Sequence, residues 1–253
     1  MTAIKHISCV IIVKNAALTL YNTLYSLSRF AEIILYDNGS SDTTLEIANE
    51  FDNVTLIQGE FYGFGETKNI AASFAANPWV LSLDADETLS ADFVEALSQR
   101  VLDDTYAYQM VRTNFYRDRE IKYCWKKEVL VRLYNKQVTA FNDNKVHEFI
   151  IVKQLKTQVL DGLVNHFPYQ NTSDFIKKSD RYSDLFAEEN CGIKSSSPTK
   201  ALSNALFTFI KKYFFKGGFL DGYPGLLISF AHMSTNFFKY MKLYEANQAV
   251  KKP

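Results

Sequence analysis

The chain has 253 residues, 47% of them hydrophobic, and its 28 basic and 28 acidic side chains give a net charge of zero. That length suits one large domain or a domain with a subdomain, and we expect no nucleic-acid partner. The charge is uneven: residues 1–104 hold 5 basic and 15 acidic side chains, a net of −10, and the remainder holds 23 and 13, a net of +10. An acidic half binds an anionic nucleotide only through a bridging cation, whereas a basic half suits phosphorylated acceptors or an anionic membrane surface.

Three cysteines, Cys9, Cys124 and Cys191, stand far apart and form no C-x-x-C pair. This predicts a reduced cytosolic protein without a zinc site. The first six residues lack the basic and apolar regions of a signal peptide, and no stretch of about 18 uninterrupted apolar residues offers a membrane span. We therefore expect a cytoplasmic protein without a transmembrane helix.

Predicted strands and helices alternate over the first 90 residues. Apolar and β-branched runs predict strands at 7–13, 33–36, 54–57 and 79–83. Helical spacing of apolar residues, preceded by turn and capping residues, predicts helices at 16–30, 43–51 and 63–76. The alternation predicts an α/β fold with a Rossmann-like, mostly parallel sheet, right-handed crossovers and helices on both faces.

Polar side chains follow the predicted strands. Asn15 follows the first, Asp37 the second, and Asp84 and Asp86 the fourth. Parallel strands present their carboxyl ends at one edge of the sheet, where ligands bind in open α/β folds. Two carboxylates one residue apart suit Mg²⁺ or Mn²⁺, which take oxygen ligands and are often shared with substrate phosphates. The alternative is a solvated acidic turn that caps the next helix.

The segment Gly63-x-Gly65 opens the third predicted helix. It follows the third strand and has Lys68 at the third glycine position of a dinucleotide fingerprint, so we reject a dinucleotide site. The glycines are instead expected to permit a tight turn. Two interpretations of Lys68 stay open, a surface lysine and a cation that meets a phosphate.

Beyond residue 90 the pattern changes to a capped helix followed by a hairpin. Ser90 caps a helix predicted over 90–102, and aromatic and β-branched runs predict strands at 106–116 and 122–134. Three aromatic residues of the hairpin either stack on sugar rings or are ordinary strand residues, namely Tyr116, Tyr123 and Trp125. Arg132 either makes a structural ion pair or contacts a phosphate.

His147 and Glu148 form a second candidate site before an apolar strand predicted over 149–152. Glu148 is our candidate general base, because an acidic side chain beside an apolar strand calls for a functional reason, and Asp143 is the alternative base. His147 is either a third metal ligand or a buried, hydrogen-bonded histidine. Neighbours in a strand point to opposite faces, so both residues face the site only if the backbone bends. A further strand is predicted over 163–167, and His166 at its end either faces the site or lies in a turn.

The C-terminal part is predicted to be helical, with a Gly, Ser and Pro-rich linker at 191–198 as the candidate boundary between domains 1–190 and 191–253. Residues 199–215 form a basic, aromatic amphipathic pattern, and residues 216–225 form a glycine-rich loop in which Asp221 either holds the loop or faces the acceptor. An uncharged stretch over 226–238 follows. This extension either packs on the first domain or lies at a membrane surface, and both can hold.

Four motifs occur in one order: I-I-V-K-N from Ile11, D-N-G-S-S-D-T-T from Asp37, G-F-G-E-T-K-N from Gly63 and W-V-L-S-L-D-A-D-E from Trp79. Together they resemble the inverting family 2 glycosyltransferases with a GT-A fold. Two downstream segments resemble those of the branch that adds β-1,4-linked glucose to the inner-core heptose of lipopolysaccharide. They are Val146-His147-Glu148 and Gly218-Phe219-Leu220-Asp221-Gly222. Ala16 departs from the pattern, because many relatives have Glu there.

The resemblance implies a UDP-sugar donor, with Asp37 accepting from the uracil N3–H, Asp84 against the ribose and metal, Asp86 as the main metal ligand and Lys68 near the diphosphate. It assigns the following residues to the nucleotide-sugar site: Val13, Asn15, Asp37, Lys68, Asn69, Asp84 and Ala85. The implied metal ligands are Asp86, Asp84 and His147, and the metal is Mg²⁺ or Mn²⁺. The residues that we assign to the acceptor side are Trp125, Arg132 and Asp221.

The function expected from this resemblance is inverting transfer of a hexose, most plausibly glucose, to a lipopolysaccharide inner-core heptose. The enzyme would work peripherally at the cytoplasmic face of an anionic membrane on a lipid-linked oligosaccharide acceptor. Alternatives are transfer to another lipid-linked, capsular or protein glycan, a nucleotidyltransferase, and a non-catalytic sugar-nucleotide-binding protein. The nucleotidyltransferase would need a glycine-rich loop after the first strand, where this chain has Lys14-Asn15-Ala16.

Overall fold

The computed structural model describes residues 3–144 and 148–251. The chain divides into two compact units, of which the first comprises Met1–Thr113 with Lys127–Phe167 and the second comprises Asn114–Lys126 with Pro168–Pro253. The boundary that we predict at residues 190 and 191 falls inside the second unit and stays a prediction.

Nine strands and seven α-helices lie within the described residues. The strands are β1 Ile7–Val13, β2 Glu32–Asp37, β3 Val54–Gln58, β4 Trp79–Asp84, β5 Glu87–Leu89, β6 Tyr106–Tyr116, β7 Arg119–Ile121, β8 Glu128–Asn135 and β9 Lys156–Tyr169. The helices are α1 Leu20–Ser26, α2 Thr44–Ala48, α3 Phe64–Ser73, α4 Ala91–Ser98, α5 Thr172–Asn190, α6 Pro198–Ile210 and α7 Gly222–Lys251.

The strands form one sheet in the order β3-β2-β1-β4-β8-β6-β9-β5, with β7 paired to β6. The first four strands in this order are parallel, and β8 pairs antiparallel with β4 and β6, as do β7 with β6 and β5 with β9. The predicted α/β fold class is therefore confirmed. In the parallel part Val13 pairs with Asp37 and Ile12 with Asp84, so the polar residues after these strands share one edge.

Strand β1 contributes residues to the two hydrophobic cores on either side of the sheet in the first unit, because alternate residues of a strand point to opposite faces. Cys9, Ile11 and Val13 belong to a core that includes Leu20 and Leu24 of α1. Val10, on the other face, belongs to a core that includes Ala71 and Ala72 of α3. The small α3 residues let that helix lie close to the sheet, which brings its polar side chains to the edge where β1 and β4 end.

Two of the predicted strands differ from the structure. The predicted strand at 122–134 is wrong over its first half, because the observed strand covers only 128–135. The backbone N–H groups of residues 122–124 instead donate hydrogen bonds to the carboxylate of Asp221 at 2.9–3.3 Å. The predicted strand at 149–152 is also wrong. That segment forms no strand and makes an isolated bridge, between Phe141 and Ile150, with backbone hydrogen bonds from Asn142 N to Phe149 O and from Ile151 N to Ala140 O, both at 3.0 Å.

The second unit is built from α5, α6 and α7. Asn171 begins α5 with a capping box that includes Asp174, and Ser197 caps α6 by accepting from Lys200 N. A short π-helix, Lys211–Phe215, and a 3-10 helix, Gly218–Asp221, connect α6 to α7. Among the described residues, none of the helices combines the length and apolar character that crossing a bilayer requires.

Candidate active site

Asp84 ends β4 among three cationic side chains of the first unit. Its carboxylate accepts from Lys68 Nζ at 2.9 Å and from Arg132 Nη2 at 2.9 Å, and Arg112 Nη1 lies 3.8 Å away. Burial raises the pKa of Asp84, but Arg132, Lys68 and Arg112 together lower it by more, so its pKa lies well below its usual value. Asp84 is therefore an ionised carboxylate whose charge is largely compensated within the protein.

Asp86 lies in the turn between β4 and β5 and differs from Asp84 in its neighbours. The Nε2 atom of His166 lies 3.6 Å from the Asp86 carboxylate, since the pairing of Glu87 with His166 brings β9 alongside this turn. Glu87 itself is buried, accepting from Asp84 N at 3.0 Å and from Arg112 Nη1 at 2.8 Å. Glu87 thus fixes the shape of the turn, while Asp86 keeps about a third of its side chain exposed.

Lys68 connects two carboxylates from distant parts of the sequence. Only 1% of the residue is exposed, and its ammonium group donates to Asp84 Oδ1 at 2.9 Å and to Glu148 Oε1 at 2.8 Å. A lysine ammonium has three N–H donors, so these two bonds leave one for another acceptor. The interpretation as a surface lysine is wrong, because helix α3 directs this side chain into the edge of the sheet.

Helix α3 also holds the backbone of the segment that carries Glu148. The side-chain amide of Asn69 donates to Phe141 O and accepts from Phe141 N, both at 2.9 Å. Gly65 lies so close to this segment that a Cβ atom there would be 1.9 Å from Asn142 O. Gly63 has a φ of 109°, which suits glycine and begins the helix. The glycines therefore permit a tight turn and a close backbone approach.

The loop after β2 is organised by Asp37 and Asn15. The Asp37 carboxylate is 1% exposed and accepts from Gly39 N and Ser40 N at 3.1–3.2 Å, and Asn15 Oδ1 accepts from Ser41 N at 2.7 Å. The predicted uracil contact of Asp37 competes with these bonds. Asn15 has a φ of 54°, a left-handed conformation that asparagine tolerates better than most residues.

The two apolar residues assigned to the nucleotide site contribute their backbone. Val13 O accepts from Asn38 N at 2.9 Å, and Ala85 O accepts from Thr23 Oγ1 at 3.0 Å. Both residues therefore stabilise the loops at the edge of the sheet where Asp37 and Asp84 lie.

The residues predicted for the acceptor side lie in different places. Arg132 is buried in the first unit and forms an ion pair with Asp84, as in the first of the two predictions for this residue. In the second unit Trp125 stacks on Tyr169 and Phe175 with ring centroids 5.6 and 6.4 Å apart, and Asp221 holds the segment 122–124. Tyr116 is also buried against Phe175. The structure therefore supports packing and loop-holding roles for these side chains.

His147 lies outside the described residues, so its predicted part as a metal ligand stays a prediction. Asp143 is exposed, whereas the Glu148 side chain is only 15% exposed. Sequence reasoning missed Arg112 and Glu87, and it predicted a strand at 163–167 with His166 near its end, whereas β9 continues to Tyr169. No local signal marks Arg112 or His166 as site residues, because β6 and β9 reach the site only through their pairing with β8 and β5.

The fold and site define an α/β enzyme of the kind that binds a nucleotide at the carboxyl ends of parallel strands. A family model described as Glycosyl transferase family 2 matches residues 8–162, well over half of the chain. The chain belongs to this family and is a glycosyltransferase.

Relatives of this chain are aligned over most of their length. An uncharacterized glycosyltransferase of Rickettsia typhi is 27% identical, covering 95% of this chain and 87% of the relative. The lipopolysaccharide core biosynthesis glycosyltransferase LpsC of Rhizobium meliloti is 24% identical, covering 98% and 95%. Among solved structures, S. aureus TarS in complex with UDP is 14% identical, with a TM-score of 0.45 over 97% of this chain and 91% of that chain.

Proposed function

We propose that this glycosyltransferase moves glucose from UDP-glucose to a heptose of the lipopolysaccharide inner core, with inversion at the anomeric carbon. The observation that carries the proposal is the convergence of Asp84, Asp86, Lys68 and Glu148 at one edge of the sheet. The similarity to LpsC, which is named for lipopolysaccharide core biosynthesis, supports the acceptor class. The order of the four sequence motifs supports the UDP-sugar donor.

Asp86 and His166 fit a divalent cation, Mg²⁺ or Mn²⁺, as its protein ligands. Asp84 is a poorer direct ligand, because three cationic groups already surround its carboxylate. Within the described residues no cluster of three or more acidic, histidine or cysteine side chains is close enough to enclose a metal. The remaining ligands would therefore be diphosphate oxygens and water, as is common for Mg²⁺. Bound there, the cation would neutralise charge that develops on the departing diphosphate.

Glu148 acts as the general base in this proposal. The acceptor hydroxyl oxygen forms a bond to the anomeric carbon, the bond from that carbon to the UDP oxygen breaks, and the hydroxyl proton passes to the Glu148 carboxylate. Lys68 holds the Glu148 carboxylate in place through its 2.8 Å contact. Its third N–H donor is available to the diphosphate, which agrees with the predicted phosphate contact.

The acceptor is lipid-linked, so we propose that the enzyme works as a peripheral protein at the cytoplasmic face of an anionic membrane. The net charge of +10 on residues 105–253, from 23 basic and 13 acidic side chains, supports this location.

Thermal unfolding with sugar nucleotides tests the donor and the metal together. UDP-glucose with Mn²⁺ or Mg²⁺ should raise the Tm, and EDTA should remove most of that increase. The variant Asp86→Ala should lose the metal-dependent part of the increase and transfer activity. Stabilisation by a different nucleotide sugar, with none from UDP-glucose, would overturn the assignment of UDP-glucose as the donor. Normal turnover of Asp86→Ala would overturn the metal assignment.

A further inference from the structure

Helix α6 exposes an apolar stripe to solvent. Leu202, Leu206 and Ile210 follow one another at a spacing of four residues, and their exposed fractions are 53%, 51% and 43%. The helix packs on α7, and its buried residues are the small Ala201 and Ala205. The face that packs within the unit therefore carries the small side chains, and the outward face carries the large apolar ones. This is the reverse of what a helix at a protein surface usually shows.

The stripe continues through the two short helices that follow α6. Phe207, Phe214, Phe215, Phe219 and Leu220 are each exposed by 50% or more, and Phe215 reaches 78%. We call the outward side chains of residues 202–220 the apolar apex. Scattered exposed apolar residues are normal, but a concentration of them in one segment marks an interaction surface.

Lysines alone supply the formal charge of the segment that contains the apolar apex. Residues 190–220 contain five lysines and no acidic residue. The nearest following acid is Asp221, whose carboxylate is bound to the backbone amides of residues 122–124. In the sequence Lys216 directly follows the exposed Phe215, and Lys211 directly follows Ile210. An apolar segment whose own charges are all cationic complements a partner that is apolar inside and anionic at its surface.

We propose that the apolar apex inserts into the interfacial region of an anionic lipid bilayer, with α6 lying in the membrane plane. Aromatic and leucine side chains enter the acyl boundary, and the lysines remain among anionic headgroups. The 13 residues of α6 are too few to span a bilayer, which requires about 20. This inference rests on the proposed lipid-linked acceptor, because it identifies the surface by which the enzyme reaches it.

Sedimentation of the full chain with vesicles tests the proposal. We compare vesicles of phosphatidylcholine alone with vesicles that also contain phosphatidylglycerol. Binding should require the anionic lipid and weaken with salt. The double variant Phe214→Ser with Phe215→Ser should bind about tenfold more weakly or worse, because it removes two inserting rings. The double variant Lys211→Glu with Lys216→Glu should lose the preference for phosphatidylglycerol.

The matched control is Leu18→Ser with Val101→Ser, which changes two apolar residues of the first unit exposed by 77% and 88%. It should bind vesicles as the wild type does. Equal loss in this control, or no binding of the wild type to anionic vesicles, would overturn the proposal. A concentration-dependent dimer that the Phe214→Ser and Phe215→Ser variant abolishes, without vesicle binding, would assign the surface to a second copy of this chain.

The vesicle assay is independent of the proposed chemistry. Asp86→Ala should bind vesicles normally while losing transfer. The apolar apex variants should still show the Tm increase with UDP-glucose, since their substitutions lie in the second unit and outside the candidate active site. Failure of the membrane proposal and failure of the donor proposal therefore give different results.

Discussion

At the scale of single residues, Lys68 joins the two chemical parts of the candidate site. Its ammonium group contacts Asp84, which ends β4, and Glu148, which lies 80 residues after Lys68 in the chain. One buried cation thus holds the carboxylate proposed as the base in place and, together with Arg132 and Arg112, lowers the pKa of Asp84. The sequence left a surface position open for Lys68, because neither contact is local in the chain.

Glu148→Gln tests the role of the base. Glutamine can still accept a hydrogen bond from Lys68, so the fold and donor binding should persist, whereas it takes no proton from the acceptor. We expect transfer to fall by about 10²-fold or more, with the Tm increase from UDP-glucose retained. The control Asp143→Asn removes the exposed alternative carboxylate and should leave transfer near the wild-type rate. A reversed result would make Asp143 the base, and loss of donor binding in Glu148→Gln would make Glu148 a structural residue.

At the scale of elements, helix α3 determines where Glu148 lies. Lys68, Asn69 and Gly65 all contact the segment between β8 and β9, through an ion pair, a two-way amide bond and a close backbone approach. The motif from Gly63 to Asn69 therefore has a structural purpose, because it positions the segment that carries Glu148 relative to Asp84.

Gly65→Ala tests this positioning. The added Cβ would lie 1.9 Å from Asn142 O, so the backbone of that segment must move away from α3. We expect kcat to fall by about tenfold or more, because a shift of about 1 Å suffices for such losses, while the response to UDP changes little. The control is Ser73→Ala, at an exposed position of the same helix. An unchanged kcat in Gly65→Ala would show that the segment adapts without moving Glu148.

The strands and helices of the parallel half follow from local patterns, so they could be predicted closely. Residues 7–13 are a strand by sequence and by structure. The irregular structure of the segment 122–127 could not be predicted, because the backbone amides of residues 122–124 donate to the carboxylate of Asp221, about 98 residues away. Likewise, the sequence leaves open whether His166 faces the site or lies in a turn, because only the pairing of β9 with β5 brings it beside Asp86. Local periodicity reveals elements, whereas contacts between distant segments decide the site.

Asp221→Ala tests the loop-holding role. The substitution removes the acceptor of three backbone N–H groups, and we expect the free energy of unfolding to fall by about 1.5 kcal/mol, because water can replace part of these bonds. Asp118→Ala, at an exposed turn of the same unit, is the control and should change stability little. A loss of transfer under conditions where the variant is fully folded would instead support the predicted contact with the acceptor.

At the scale of the whole molecule, pH links one half-buried histidine to the stability of the fold. His232 lies on α7, and its Nε2 atom accepts from Trp125 Nε1 at 3.3 Å, which requires an unprotonated nitrogen there. Burial, followed by the nearby charges of Lys212 and Lys216, lowers the pKa of His232 to about 4. The folded protein therefore keeps this histidine neutral over a range in which an unfolded chain protonates it.

A histidine with a lowered pKa stabilises the fold less as the pH falls. Below about pH 6.5 the unfolded chain gains a proton that the folded chain takes up only near pH 4, so stability is lost between these values. Between about pH 7.5 and about pH 5, His232 alone should lower the free energy of unfolding by about 2 kcal/mol. Urea unfolding followed by tryptophan fluorescence measures this change, and Trp125 reports on the same contact. His232→Gln keeps an acceptor for Trp125 and should reduce the loss by that amount, whereas His6→Gln, at an exposed position, should not. Equal pH dependence in the wild type and His232→Gln would show that His232 is protonated in the folded protein at about pH 5.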